Sequence, residues 1–175
     1  MNTSGAYSKY DLKVNLKLIK LMFHIFNGDE EQKAFNYGEK LDALSFIDAY
    51  MHSEVRKKMD EGDYITHYYG DKQVYNRIDK SACLPRTVQY DLDALHWMAE
   101  IYCVLQWKYF LYSSDISDIL PANELYGMYD QLKDLPIGKA CDKIYDELFM
   151  DKELPNTPPY VPDEEEEEYA QDLQL

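Results

Sequence analysis

Glycine and cysteine are scarce in this chain, and neither forms a recognisable motif. The seven glycines are scattered, and none belongs to a GxGxxG or GxxxxGK pattern, which excludes the usual phosphate-binding loops. The three cysteines, Cys83, Cys103 and Cys141, form no CxxC pair and leave an odd one over, so we expect no secreted disulfide framework. Cys103 and Cys141 fall among apolar positions and are predicted to be small core residues.

Clustered metal ligands are missing as well. The four histidines, His24, His52, His67 and His96, lie far apart in sequence, whereas zinc sites need ligands at short fixed spacings. No ExxH pair of the kind used by di-iron helical bundles occurs. The sequence therefore predicts neither a metal nor another cofactor, and it predicts a protein that is not an enzyme.

Long apolar runs are absent. The most apolar stretch, residues 87–112, is interrupted by Glu100, Gln106 and Lys108, and a membrane-spanning helix needs about 20 predominantly apolar residues. The first residues, MNTSGAYSKYDLK, lack the apolar core of a signal peptide. We therefore expect a soluble protein of the reducing cytoplasm with no membrane partner.

Positive charge is in short supply. The chain has 18 Lys and Arg against 33 Asp and Glu, a formal net charge of -15. Residues 59–130 carry five basic against twelve acidic residues, and residues 131–175 carry four against thirteen. A surface this acidic repels phosphates, so we expect no direct binding of nucleic acid. A partner protein with a basic surface is favoured instead. The sequence does not indicate an oligomeric state.

What the chain has in abundance is helical periodicity. Hydrophobic residues make up 46% of the sequence and recur every three or four positions, with no convincing strand and no internal repeat. The prediction is an all-α fold, a single bundle of five to seven helices in residues 1–153. The predicted helices are 8–26, 29–36, 39–60, a short one opening near Asp71 that buries Val74, Tyr75 and Ile78, the central one at 87–112, a turn at 114–120, one after Pro121 and one after Pro136.

The central helix, with Trp97 and Trp107, is apolar on several sides and is predicted to be the buried scaffold of the bundle. From residue 154 onward the composition changes to LPNTPPYVP, then to a run of carboxylates and YAQDLQL. Such a segment buries little, so residues 154–175 are predicted to be a disordered acidic tail. The tail has two interpretations. It is either a solubilising end or a docking peptide that would use Glu164, Glu165, Glu166, Glu167, Glu168, Tyr169 and Leu173.

Tyrosine is unusually frequent, at 17 residues, and several tyrosines alternate with carboxylates. A ring with one polar end suits a protein-binding surface, although the same pattern also fits a solvated face above core tyrosines. Two groups are predicted to bind a partner. The first is Asp60, Glu61, Asp63, Tyr64, Tyr68, Tyr69 and Asp71, and the second is Asp115, Asp118, Glu124 and Tyr126.

One trio admits a catalytic interpretation. Asp63, His67 and Asp71 fall at i, i+4 and i+8, so they would share one face if residues 63–71 were helical. A histidine between carboxylates could then act as a base or a metal ligand. Gly70 and the neighbouring tyrosines favour an exposed polar loop over this site.

Residues 100–148 resemble a pattern seen in small antitoxin-type proteins of bacterial toxin–antitoxin pairs. In that pattern a helix ends in an aromatic and basic cluster, here Trp107, Lys108 and Tyr109, and a Ser-led turn follows, here 114–119. A short helix and a final amphipathic helix complete it. The segment departs from the pattern at 136–139, where a histidine-containing link is expected, and it covers less than a third of the chain. The resemblance implies a non-catalytic partner that neutralises another protein.

Taken together, the sequence predicts a non-enzymatic acidic protein, an antitoxin-like inhibitor that occludes a basic or nucleotide-binding site on a partner. Two alternatives stay open. One is a phage or plasmid anti-defence protein, directed against CRISPR or restriction systems, that imitates the charge of DNA. The other is an enzyme with an Asp/His site at residues 63–71.

Overall fold

Seven α-helices form the regular structure of the residues that the computed structural model describes, which are 41–63, 66 and 69–159. An isolated antiparallel bridge joins Leu41 to Pro85, and these described ranges contain no strand. The all-α prediction is confirmed for this part of the chain, while the predicted helices 8–26 and 29–36 lie outside it. The helices are α1 (Ala43–Met51), α2 (Glu54–Asp60), α3 (Asp71–Tyr75), α4 (Leu92–Tyr109), α5 (Ser113–Ile119), α6 (Ala122–Leu132) and α7 (Ile137–Leu148).

Helix α4 is the centre of the bundle and packs against α5, α6 and α7. It begins after Asp91, whose side chain accepts a hydrogen bond from the backbone N–H of Asp93, and it closes where Phe110 turns into the left-handed region at φ 57°. The helix is therefore shorter at both ends than the predicted 87–112. Apolar periodicity runs on through Tyr112, but a cap at one end and a left-handed residue at the other set the bounds.

The burial predicted for α4 is confirmed. Trp97 is 6% exposed and packs edge-on against the Tyr129 ring, with the two ring centroids 5.6 Å apart. Cys103 of α4 and Cys141 of α7 are both buried, as predicted. Burial raises the pKa of each of these thiols to about 12, so both remain protonated and unreactive near neutral pH.

The single long helix predicted over 39–60 is wrong, because the chain breaks at His52 and Ser53 into α1 and α2. Ser53 has an extended backbone, and its hydroxyl accepts a hydrogen bond from the Arg56 backbone N–H, which is the arrangement of a helix N-cap. The same hydroxyl donates to the Tyr50 carbonyl at the end of α1. One serine thus ends one helix and starts the next without interrupting the apolar periodicity.

The irregular segment after α2 begins at Gly62, whose φ of 75° ends the helix, and it contains α3. Val74, Tyr75 and Ile78 are buried as predicted, and the Tyr75 ring packs against Phe46 of α1. Across the described residues, no helix combines the length and apolar character needed to cross a bilayer.

A fully buried polar network joins α2, α4 and the start of α5. The Arg56 guanidinium donates to Ser113 Oγ at 2.7 Å and to Gln106 Oε1, and it lies 3.5 Å from the Asp60 carboxylate. Asp60 also accepts from the backbone N–H of Ser113 at 2.7 Å and from the Gln106 amide. All four residues are at most 2% exposed. Because each buried charge has its partners, the network fixes how these three helices meet.

Candidate protein-binding surface

Two of the predicted contact residues lie inside the protein. Asp60 is 2% exposed and belongs to the network with Arg56. Burial raises the pKa of Asp60, although the Arg56 charge and the hydrogen bonds from Ser113 and Gln106 oppose that shift. A carboxylate held this way cannot reach a partner, so its assignment to the binding surface was wrong.

Asp115 is likewise buried, at 1% exposure, because the chain after α7 passes over it. We call residues 154–159 the strap. The Asp115 carboxylate accepts hydrogen bonds from the backbone N–H and amide Nδ2 of Asn156, and from the backbone N–H and hydroxyl of Thr157, the last two at 2.6 Å. Thr157 Oγ1 in turn accepts from the Tyr112 N–H at 2.9 Å. Asn156 and Thr157 of the predicted tail are therefore bound to the body, while Glu164 to Glu168, Tyr169 and Leu173 lie outside the described residues.

Of the remaining members of the first predicted group, the structure describes the surroundings of Glu61, Asp63 and Tyr69. Glu61 is exposed and Asp63 is half-buried. The half-buried Tyr69 carries the Arg77 guanidinium 4.3 Å from its ring centroid. Tyr64 and Tyr68 lie outside the described residues, and Asp71 is the first residue of α3.

The helix required for the alternative site at Asp63, His67 and Asp71 is not formed. Tyr69 and Gly70 are not helical, and Gly70 has the extended backbone of an N-cap, so α3 begins only at Asp71. The condition for the i, i+4, i+8 alignment is therefore not met, and His67 itself lies outside the described residues. Within the described ranges, no three His, Cys, Asp or Glu side chains gather as a metal site requires.

The second predicted group keeps three residues at the surface. Asp118 of α5 is exposed and bonds to His52, whereas Glu124 of α6 is exposed and Tyr126 is half-buried. Tyr126 also belongs to a surface on which tyrosines and carboxylates lie side by side. We call it the acidic–tyrosine face and define it by Tyr90, Asp91, Asp93, Tyr126, Tyr129 and Asp130.

The rings of this face are held in place by direct contacts. Tyr90 meets Tyr126 edge-on, with centroids 5.1 Å apart, and the Tyr126 hydroxyl accepts a hydrogen bond from the Asp91 N–H at 3.3 Å. The Tyr90 hydroxyl donates to Asp42 at 2.7 Å. Burial, and then this bond and the Asp42 charge, raise the pKa of Tyr90 to about 12. Tyr90 is therefore fixed as a neutral donor to the body of the protein.

The carboxylates of the face act together on Tyr129. Desolvation is the largest cause that raises the pKa of its hydroxyl. The charges of Asp91, Asp93 and Asp130 raise this pKa further, while the Lys133 charge lowers it. Lys133 bonds to Asp130 at 2.7 Å and lies 5.3 Å from the Tyr129 ring centroid. Three carboxylates against this lysine leave the face negative. Leu92, which lies between Asp91 and Asp93 in the sequence, is 45% exposed.

The aromatic and basic cluster at the end of α4 is occupied by contacts with α7. The Lys108 ammonium and the Tyr109 hydroxyl both bond to the Asp142 carboxylate. The Tyr109 ring stacks on Tyr145, with centroids 3.7 Å apart and nearly parallel planes. These residues join two helices, and the lysine in the cluster is neutralised by its partner.

Sequence reasoning missed Tyr90, Asp91, Asp93 and Tyr129 as members of a surface. A signal was present, because Asp91 and Asp93 bracket the start of an apolar helix, where carboxylates complement the helix dipole. Their nearness to α6 carries no sequence signal, since 35 residues separate Asp91 from Tyr126.

Comparison with known proteins yields no relative. No protein-family model matches this chain, and neither a curated protein nor a solved structure matches it.

Proposed function

We propose that this chain is a non-enzymatic protein that binds a basic partner protein through the acidic–tyrosine face and neutralises it by covering its functional site. The observation that carries the proposal is the gathering of Asp91, Asp93 and Asp130 around tyrosines that are already fixed by contacts. The mode of action is that of an antitoxin-like inhibitor. Residues 100–148, which resemble antitoxin-type proteins, include helix α6 and so supply three of the six residues of the face.

The electrostatic part of the proposal follows from charge complementarity. Lysines and arginines that bind phosphate groups in a nucleic-acid-processing or nucleotide-binding partner would also be attracted to these carboxylates. The net charge of -15 extends this attraction to longer range and accelerates encounter. The chain would thus compete with the partner's own anionic substrate without resembling it chemically.

The aromatic part of the proposal follows from preorganisation. Tyrosine has few rotatable bonds and offers a large contact area, so it loses little entropy when it is immobilised. Here Tyr126 is held by Tyr90 and Asp91, and Tyr129 packs on Trp97. These rings have therefore lost most of their conformational entropy during folding. Little more is lost when a partner binds, which favours tight binding.

A three-way capture experiment tests the proposal. Wild type, the face variant Asp91→Asn/Asp93→Asn/Asp130→Asn and a control variant Glu54→Gln/Asp146→Asn/Asp151→Asn are immobilised and exposed to lysate of the native host. The control removes the same charge at exposed positions outside the face. We expect a basic protein to be retained by wild type and control and lost from the face variant.

The identity of the retained protein, a toxin or a nuclease, would assign the class of target. Equal retention by all three proteins would contradict the proposed surface, and retention of no protein at all would contradict the proposed function. A measured catalytic turnover by the purified chain would also contradict it.

A further inference from the structure

His52 occupies the joint between α1 and α5. It is the C-cap of α1, and its ring lies between two oxygens. Nδ1 is 2.9 Å from the backbone carbonyl oxygen of Asp48, and Nε2 is 2.8 Å from Oδ1 of Asp118 on α5. The joint thus links the last turn of one helix to a neighbouring helix 66 residues further along the chain.

The two partners of the ring determine which protonation form fits this geometry. A backbone carbonyl only accepts hydrogen bonds, and so does a carboxylate. A neutral imidazole carries a single N–H and can donate to one of them, leaving a nitrogen lone pair facing the other oxygen. The doubly protonated imidazolium donates to both at once.

The charged groups around the ring favour the same form. Asp118 faces it from α5 and Asp48 from α1, while Glu54 at the start of α2 is exposed. The Asp48 carboxylate itself accepts from the Ser117 hydroxyl and the Ala122 N–H, each at 2.9 Å, so it is held beside the joint. Burial alone would lower the pKa of His52, but the bonds to Asp118 and to the Asp48 carbonyl and both negative charges outweigh it and raise the pKa above 6.5.

We propose that His52 is a pH-sensitive latch that ties α1 to α5 through Asp118 when it is protonated and releases one of its two bonds when it is not. Because the folded state holds the proton more tightly than the unfolded chain, the stabilisation is fully present below about pH 6.5. This stabilisation is lost as the pH rises through the pKa that His52 has in the folded protein. Deprotonation also changes the charge of the His52 and Asp118 pair from zero to -1, so this part of the surface becomes more acidic above the transition. The latch does not depend on the proposed function.

A nuclear magnetic resonance titration tests the latch directly. The ring nitrogens of His52 are followed from pH 5 to 9 in the full chain, in Asp118→Asn and in the matched control Glu124→Gln, an exposed carboxylate on the next helix. We expect both ring nitrogens of the wild type to be protonated at pH 5.5. We also expect Asp118→Asn to lower the midpoint by about half a pH unit or more, whereas Glu124→Gln leaves it within about 0.2 units. A midpoint unaffected by Asp118→Asn, or a wild-type midpoint below 6.5, would overturn the proposal.

Thermal unfolding provides a second readout that a merely structural contact would not reproduce. The difference in Tm between wild type and His52→Gln should be largest below pH 6.5 and should shrink steadily as the pH rises. Glutamine is neutral throughout this range and still has an amide group that can donate hydrogen bonds. A difference in Tm that stays constant with pH would therefore show that the contact of His52 does not respond to pH and would overturn the latch.

Discussion

Asp60 and Asp91 are both aspartates at helix ends, yet they belong to opposite environments. Asp60 is 2% exposed and bound by Arg56, Gln106 and Ser113, whereas Asp91 lies at the surface with Asp93 beside a half-buried tyrosine. A buried carboxylate must have its partners within the protein, because an unpaired one costs several kcal/mol. An exposed one has no such requirement and remains available to a partner. Net charge alone therefore does not locate a binding surface.

The largest effect should come from breaking the buried network. Arg56→Met leaves Asp60 without its cation, and we expect a loss of about 3–5 kcal/mol in the free energy of unfolding. Urea denaturation at pH 7 measures it. Lys57→Met, at the exposed neighbouring position on α2, is the control and should cost less than about 0.5 kcal/mol. Similar losses in the two variants would show that the network does not hold the helices together.

A smaller effect is expected where the buried carboxylate holds only the strap. Asp115→Asn replaces an acceptor of several hydrogen bonds with a group that also donates, which we expect to cost about 1–3 kcal/mol. Hydrogen exchange at the amides of Asn156 and Thr157 should accelerate more than exchange in α4. The control variant Glu124→Gln should change the exchange rates neither at Asn156 and Thr157 nor in α4. Unaltered exchange at Asn156 and Thr157 in the Asp115 variant would contradict the contact.

The next test concerns the hydrogen bond that holds Tyr90 of the acidic–tyrosine face to Asp42. Tyr90→Phe removes the hydroxyl that donates to Asp42, and we expect a loss of about 0.5–1.5 kcal/mol at pH 7. Since the pKa of Tyr90 is raised to about 12, this contribution is present below pH 10 and is lost as the pH rises from 10 towards 12. The difference between the denaturant midpoints of wild type and Tyr90→Phe should therefore be smaller at pH 11.5 than at pH 8. A gap that widens at pH 11.5 would refute the assignment.

The smallest effect on stability should come from the carboxylates of the acidic–tyrosine face themselves. Asp91→Asn/Asp93→Asn/Asp130→Asn retains an N-cap side chain at position 91, and we expect a change of no more than about 0.5 kcal/mol per substitution. Circular dichroism and urea denaturation measure it. If the triple variant unfolded as readily as Arg56→Met, these residues would belong to the structural class represented by Asp60.

Part of the fold could be predicted because helix formation depends on local patterns. The apolar periodicity located α3, α6 and α7, identified Trp97 as a core residue and placed Cys103 and Cys141 inside. It missed the break at Ser53, because a cap is a hydrogen bond from one side chain and does not disturb a repeat of three and four.

The candidate site could be predicted less well, because burial of a polar residue depends on contacts between distant segments. Nothing near Asp115 in sequence reveals that Asn156 and Thr157 will cover it. Likewise, Asp91 and Tyr126 become neighbours only because α4 and α6 pack together. Charge and tyrosine content suggested where to look for a surface, but they did not separate structural carboxylates such as Asp60 and Asp115 from exposed ones such as Glu124.

The most direct test of the acidic–tyrosine face as a binding surface is the salt dependence of binding to the partner identified by capture. Its Kd is measured for wild type and for Asp91→Asn/Asp93→Asn/Asp130→Asn between 50 and 500 mM salt, by calorimetry. We expect wild type to bind about tenfold or more tightly than the variant at low salt, and we expect the two Kd values to approach each other as screening increases. Equal affinities at every salt concentration would contradict the role of this face in binding.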